Sequence, residues 1–255
     1  MKDHIYDSAF FVGKRYLVTG ASSGVGRAVA VALAQAGASV VLSGRDVSRL
    51  EATQSVLQGE GHVIMPCDLS QPEGIEVWLR AVWEHCGPLD GMAYCAGISS
   101  RQRLRDMTPS LLQSVMQVNF FAFVDCVRWL SRLKPRAHPM RMVAMSSLAS
   151  RTHEKYFTAY AASKAALEAA VRSLATELLH RNVGICTLRA GFADTPMARG
   201  TEAWTGDFDA HLREGYQPMG LIPPEDVARM LVFLLSDAAR YITGVQVPFN
   251  AGAAD

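Results

Sequence analysis

The 255-residue chain is poor in cysteine, lysine and net charge, and each shortage excludes something. Its five cysteines, Cys67, Cys86, Cys95, Cys126 and Cys186, are odd in number and widely spaced, with no Cys-x-x-Cys. Neither a disulfide framework nor a zinc site is suggested, no metal is expected, and a reducing cytoplasm fits best. A net charge of +1 gives no electrostatic footprint for nucleic acid or an anionic membrane, so neither is an expected partner. With 20 Arg against 5 Lys, anion sites must be local. No stretch approaches the ~20 uninterrupted apolar residues of a membrane span. The segment from Met1 to Gly13, carrying Asp3, His4 and Asp7, has no apolar signal core, so a soluble, unprocessed protein is expected. There is also no Pro/Gly/Ser-rich linker, long charge run or repeat. With 49% apolar and 19% charged residues spread evenly, one globular domain over residues 1–255 is expected.

What is present is an alternation of short apolar runs with longer amphipathic segments. Seven strands are implied, around Tyr16 to Val18, Val40 to Leu42, His62 to Met65, Met92 to Cys95, Met142 to Met145, Ile185 to Leu188 and Val245 to Val247. Helices are expected over Gly26 to Ala36, Val47 to Gln58, Pro72 to His85, Pro109 to Leu133, Thr158 to His180 and Pro224 to Leu235, several opened by proline. Because each parallel strand needs a crossover to return, the pattern predicts an α/β fold of Rossmann type. It is a doubly wound, seven-stranded parallel sheet with helices on both faces and its site at the strands' carboxyl ends. The least regular stretch, Pro196 to Pro223, is a candidate lid.

After the first strand comes Thr19-Gly20-Ala21-Ser22-Ser23-Gly24-Val25-Gly26, running straight into a helix. Gly20 permits a sharp turn, Gly24 lets backbone N–H groups approach a pyrophosphate, and Gly26 lets helix and strand pack closely, with the helix dipole adding positive potential. A glycine-rich turn without ligand is the bland alternative, and the strand-before, helix-after context disfavours it. At the end of the second strand, Gly44-Arg45 stands where an acidic residue would bind the ribose hydroxyls of NAD. Arg45 there suits the 2′-phosphate of NADP, or is simply a solvated helix-start residue. Asp68 and Leu69 follow the third strand and can meet an adenine ring; alternatively Asp68 caps the next helix.

Tyr160 and Lys164 lie four apart in Tyr160-Ala161-Ala162-Ser163-Lys164, so a helix stacks them on one face. Ser147 stands thirteen residues upstream at the end of the fifth strand, and Asn119 lies inside the preceding long helix. From about Gly13 onward the chain resembles the short-chain dehydrogenase/reductase family. The resemblance rests on Thr19-Gly20-x-x-x-Gly24-x-Gly26, Ala96-Gly97, Asn119, Ser147, Tyr160-x-x-x-Lys164 and the Gly191 to Thr195 segment, in order and spacing.

That resemblance implies hydride transfer between nicotinamide and a carbonyl or secondary alcohol carbon of a small, polar molecule, with NADP favoured over NAD. Tyr160 is expected as general acid or base, and Lys164 to lower the Tyr160 pKa and hold the nicotinamide ribose. Ser147 would hydrogen-bond the substrate oxygen, and Asn119 would hold a water serving Lys164. The cofactor would be held by Gly20, Ser22, Ser23, Gly24, Val25, Gly26, Arg45, Asp68, Leu69, Ala96, Gly97, Tyr160, Lys164, Gly191, Phe192 and Thr195. The sequence departs from the family pattern at Tyr94-Cys95, where an Asn pair is usual, at Ala190, where Pro is usual, and at Asn250-Ala251-Gly252. These departures bear on sheet bracing and subunit packing.

Ser99-Ser100-Arg101-Gln102-Arg103 and Ser150-Arg151-Thr152-His153 read as a polar, cationic substrate rim, suited to hydroxyl or acidic groups. A homotetramer or homodimer is expected through the helices over Pro109 to Leu133 and Thr158 to His180. The second of these is expected to present Ala165, Ala166, Leu167, Ala169 and Ala170 outward. Two other readings compete. A catalytically silent NADP-binding sensor has no need of Asn119, Ser147, Tyr160 and Lys164 together. A sugar-nucleotide epimerase or dehydratase would need a different glycine spacing and a larger substrate region.

Overall fold

In this computed structural model, residues 8–132, 139–152, 154–200 and 208–254 are described. The strands are β1 (Arg15–Thr19), β2 (Ser39–Ser43), β3 (Val63–Ile64), β4 (Gly91–Tyr94), β5 (Met140–Ser147), β6 (Val183–Ala190) and β7 (Gln246–Phe249). They pair in parallel in the order β3-β2-β1-β4-β5-β6-β7. The order reverses between β1 and β4, which opens a crevice at their carboxyl ends. The third strand is shorter than its apolar run suggested. Only Val63 and Ile64 pair with β2, and His62 spends its ring nitrogen on the Val40 amide instead.

Alternation along each strand divides the core in two. Leu17, Val41, Met92, Tyr94, Met142, Ala144 and Ile185 face one layer, while Tyr16, Val18, Val40, Leu42, Ala93, Val143, Cys186 and Leu188 face the other. The first layer is covered by α3 (Pro72–Cys86), α5 (Ala122–Arg132) and α6 (Thr158–Leu178), the second by α1 (Gly24–Gln35) and α9 (Pro224–Leu235). Between them run α2 (Val47–Gln54), α4 (Pro109–Met116), α7 (Pro196–Arg199) and α8 (Phe208–Gly215). The proline openings act as expected. Pro72, Pro109 and Pro224 occupy first-turn positions, and Asp46 and Thr108 accept the Arg49 and Leu111 amides as N-caps of α2 and α4.

The long helix expected from Pro109 to Leu133 is interrupted. Residues Gln117–Phe121 form a π-turn between α4 and α5, and Leu133 lies outside the described residues. The segment Pro109–Arg132 is long and apolar enough by composition to cross a membrane, but Val115, Phe123, Cys126, Val127 and Leu130 are buried in the protein's own core. Leu167, expected on the outer face of α6, is fully buried in that same layer, because it points to the sheet from the face that carries Lys164 and Val171. The lid stretch contributes α7 and α8; Thr201 to Asp207 within it, and His153 of the rim, lie outside the described residues.

Candidate active site

The glycine turn is shaped by contacts that a side chain would spoil. Gly20 has φ +68°, and a Cβ there would come within 2.9 Å of the Ala96 amide nitrogen, which itself donates to Thr19 Oγ1 at 3.1 Å. Gly24 has φ +51° and opens α1, and a Cβ at Gly26 would run into the Gly20 carbonyl. The turn floors a cavity of about 520 Å³ at the switch point. Of the residues expected to bind cofactor, all line this cavity: Gly20, Ser22, Ser23, Gly24, Val25, Gly26, Arg45, Asp68, Leu69, Ala96, Gly97, Gly191, Phe192 and Thr195, with Tyr160 and Lys164 at the far end.

For two of them the structure adds detail. Asp68 does not cap α3, whose N-cap is Gln71; its carboxylate accepts the Ser70 amide at 3.0 Å and stays at the exposed edge of the cavity. The Phe192 backbone is already engaged, its N–H donating to Gln217 Oε1 at 2.8 Å and its carbonyl accepting from Gln217 Nε2 at 3.0 Å. Gln217 is fully buried and gives no periodic signal in the sequence, so nothing there pointed to it.

Tyr160, Lys164 and Ser147 meet in one corner. The Ser147 hydroxyl accepts the Ala149 amide at 3.2 Å and acts on the Tyr160 phenol in favour of its ionised form. Lys164 is buried, its Nζ 5.7 Å from the Tyr160 ring centre and donating to the Met145 carbonyl at 2.8 Å. The expectation that Lys164 depresses the Tyr160 pKa is not met: burial pushes the phenol up and the Glu154 carboxylate adds to this, with Ser147 acting against both. The shift that burial makes large is on the lysine, brought down to about 8 with Cys95 and Glu168 opposing.

Asn119 is the one expected catalytic residue that does not reach the cavity wall. It sits in the π-turn, wholly buried, with Oδ1 accepting from the Ile98 amide at 2.8 Å and Nδ2 donating to the Ile98 carbonyl and to Ser163 Oγ, each at 2.9 Å. Its side chain thus pins the Ala96-Gly97-Ile98 loop to α6. Sheet bracing at the neighbouring departure is supplied by Tyr94, whose hydroxyl donates to the Val118 carbonyl at 2.6 Å.

The substrate end differs from the cationic rim expected. Neither Arg101 nor Arg151 lines the cavity, and the Arg101 guanidinium lies over the Tyr156 and Phe157 rings at 5.6 and 5.9 Å. The cavity lining there includes the acidic Glu154, which accepts from the Tyr216 hydroxyl at 2.6 Å. Burial and this bond push the Tyr216 phenol up to about 12. Phe157, Phe192 and Met197 make the rest of that wall apolar.

Behind the corner lies a group the sequence reading passed over. Glu168, one further helical turn beyond Lys164, pairs with Arg189 of β6, Nε to Oε1 at 2.9 Å and Nη2 to Oε2 at 2.8 Å. Extending the four-residue stripe from Tyr160 through Lys164 would have reached it.

A family model described as enoyl-(acyl carrier protein) reductase matches residues 20–254. The chain belongs to the short-chain dehydrogenase/reductase family, oxidoreductases acting between CH–OH and C=O with a nicotinamide dinucleotide. It is 31% identical over 243 residues to the 3-oxoacyl-(acyl-carrier-protein) reductase FabG of Pseudomonas aeruginosa, covering 94% of this chain and 97% of that one. Among solved structures it is similar to a dehydrogenase/reductase from Sinorhizobium meliloti, with TM-score 0.86, 28% identity and coverage of 97% and 98%. It is likewise similar to a short-chain dehydrogenase from Burkholderia cenocepacia in complex with NADP, with TM-score 0.85, 28% identity and coverage of 95% and 98%.

Proposed function

We propose that the protein is an NADPH-dependent reductase of a carbonyl compound that is neutral near its reacting carbon. The observation that carries the reading is the meeting of Ser147, Tyr160 and Lys164 on the cavity that the glycine turn floors, with Lys164 Nζ 5.7 Å from the Tyr160 ring centre. The residues fit the dinucleotide. The turn is bare of side chains where a pyrophosphate would lie, and a Cβ on Gly44 would touch Ser22 Oγ at 3.4 Å, so Arg45 leaves β2 close against the turn. Asp46 beside it is held by the Arg49 amide and guanidinium as a helix cap, which leaves Arg45 to meet a 2′-phosphate. The NADP complex of the Burkholderia relative supports the same choice.

The bound dinucleotide supplies the hydride. Tyr160, kept protonated at neutral pH by its surroundings, donates its phenol proton to the developing alkoxide, which suits the reductive direction. Ser147 donates to the same oxygen, and Lys164, titrating near 8, passes a proton to the phenolate left behind. Asn119 fixes the loop over which Lys164 lies. Glu154 repels a carboxylate near the reacting carbon, and the named acyl-carrier-protein reductases among the relatives make a 3-oxoacyl thioester the first substrate to try. Association as a homotetramer or homodimer belongs to the same reading and is measured by sedimentation velocity.

The test follows NADPH consumption with 3-oxoacyl thioesters, the matching free 3-oxo acids, simple ketones and enoyl thioesters. Thioester reduction, slower turnover of the free acids, and a loss of about 10²–10⁴-fold in Tyr160→Phe is the expected outcome. Turnover surviving in Tyr160→Phe, or confined to enoyl substrates, overturns the reading.

A further inference from the structure

We propose that the buried Glu168–Arg189 pair is a positioning unit of the candidate active site, setting Ser147 against Tyr160 from behind; the inference rests on the functional reading above. Both side chains are only 3% exposed, yet neither reaches the cavity. Their bonds join the three elements that carry the site. Glu168 continues the Tyr160, Lys164 stripe of α6. Its Oε1 accepts from Ser146 Oγ at 2.7 Å, one residue before Ser147, and lies 2.9 Å from Ser150 Oγ. That same Ser150 hydroxyl lies 2.8 Å from the Ser147 carbonyl, so its one proton is shared between carbonyl and carboxylate. Arg189 is the direct register partner of Ser146 on β6 and stands two residues before Gly191, where the backbone turns under the cavity.

A structural role alone does not call for this wiring. One carboxylate oxygen takes three bonds, and two of the donors, Ser146 and Ser150, lie within three residues of Ser147. The helix is already held to the sheet by Leu167, Val171, Ala175 and Leu178. The geometry assigns the pair to the spacing between Ser147 and Tyr160, an interval to which proton transfer to a bound oxygen is sensitive.

The experiment compares wild type with E168M/R189M, which removes both charges together and keeps the volume. Replacing a buried pair by apolar groups is often neutral for stability, so a wild-type Tm is expected together with kcat lowered tenfold or more and the KM for NADPH within about threefold. Wild-type kcat at wild-type Tm overturns the proposal. Should the double variant fail to fold, S150A decides: a fall in kcat with unchanged KM supports the proposal, and unchanged kcat overturns it. The ultraviolet titration of Tyr160, read as the difference from Y160F, needs no turnover. Ser147 and Glu154 act on this phenol and Lys164 Nζ lies 5.7 Å from its ring centre, and a displaced Ser147 moves its titration up in E168M/R189M. No movement there overturns the proposal even if no carbonyl substrate is found, whereas absence of wild-type reductase activity counts against the functional reading alone.

Discussion

Two arginines, each 3% exposed, sit at opposite ends of the same sheet and solve burial in opposite ways. Arg141, at the amino end of β5, is held by backbone carbonyls. Its guanidinium donates to Leu234 at 3.2 and 3.1 Å, to Ile242 at 2.8 Å and to Arg240 at 3.4 Å, gathering the chain as it leaves α9. Gly184, its partner on β6, is glycine because a Cβ would run into that guanidinium. Arg189, at the carboxyl end of β6, is paired with the Glu168 carboxylate. The amino end uses dipoles that every helix terminus offers, so its arginine ties the fold together and nothing more. The carboxyl end uses a full charge that must itself be buried, a costlier device, and it appears where geometry must be held against a reacting group.

Breaking the costlier device should do the most damage. Arg189→Met leaves the Glu168 carboxylate buried with serine partners only, and a loss of about 3–5 kcal/mol is expected in denaturant unfolding. Arg141→Met strands carbonyls, which hydrate or relax more cheaply. About 1–3 kcal/mol is expected, with kcat/KM for NADPH and substrate unaltered in the folded fraction. A change in kcat/KM there would erase the distinction between the two ends. Arg45→Ala touches neither arginine and leaves unfolding unaltered, while NADPH affinity by fluorescence titration falls about tenfold and NADH affinity holds; equal losses for both would remove the cofactor assignment.

The smallest effect separates the ends by pH. Lys164, with its folded pKa lowered from 10.5 to about 8, sheds its proton first in the folded state. Between those values the unfolded chain holds more protons at this site, so Lys164 adds stability as pH rises, against the buried thiols whose raised pKa values remove it. Tm followed from about pH 8 upward should therefore fall more steeply in Lys164→Met than in wild type. Arg141, though burial lowers its pKa from 12.5, stays charged throughout, and its variant should keep the wild-type slope.

These contrasts also separate what could be read in the sequence from what could not. The glycine turn, the Tyr160–Lys164 stripe, Ser147 and the parallel sheet follow from local spacing, since each depends on residues close in the chain. The cofactor half was legible for that reason. Gln217, buried against Phe192 from 25 residues away, and Glu154, turned inward by Tyr216, depend on how a loop folds back, and no periodicity marks such contacts. The cationic rim failed on the same ground, because Arg101 found aromatic rings nearer than the cavity. The direction of the Tyr160 shift was missed because burial, which a sequence does not display, outweighed a charge that it does.

The π-turn at Gln117–Phe121 joins α4 directly to α5 but leaves the two helices in different phase. One surplus residue advances everything after it by about 100° of rotation. Asn119 looks toward Ile98 and Ser163 because of that offset, and Phe123, Cys126 and Leu130 still find the sheet in spite of it. Removing a single residue anywhere in the turn would restore an unbroken ladder of backbone bonds and rotate one set or the other to the outside. The chain therefore carries, in the count of five residues, a reading frame of its own.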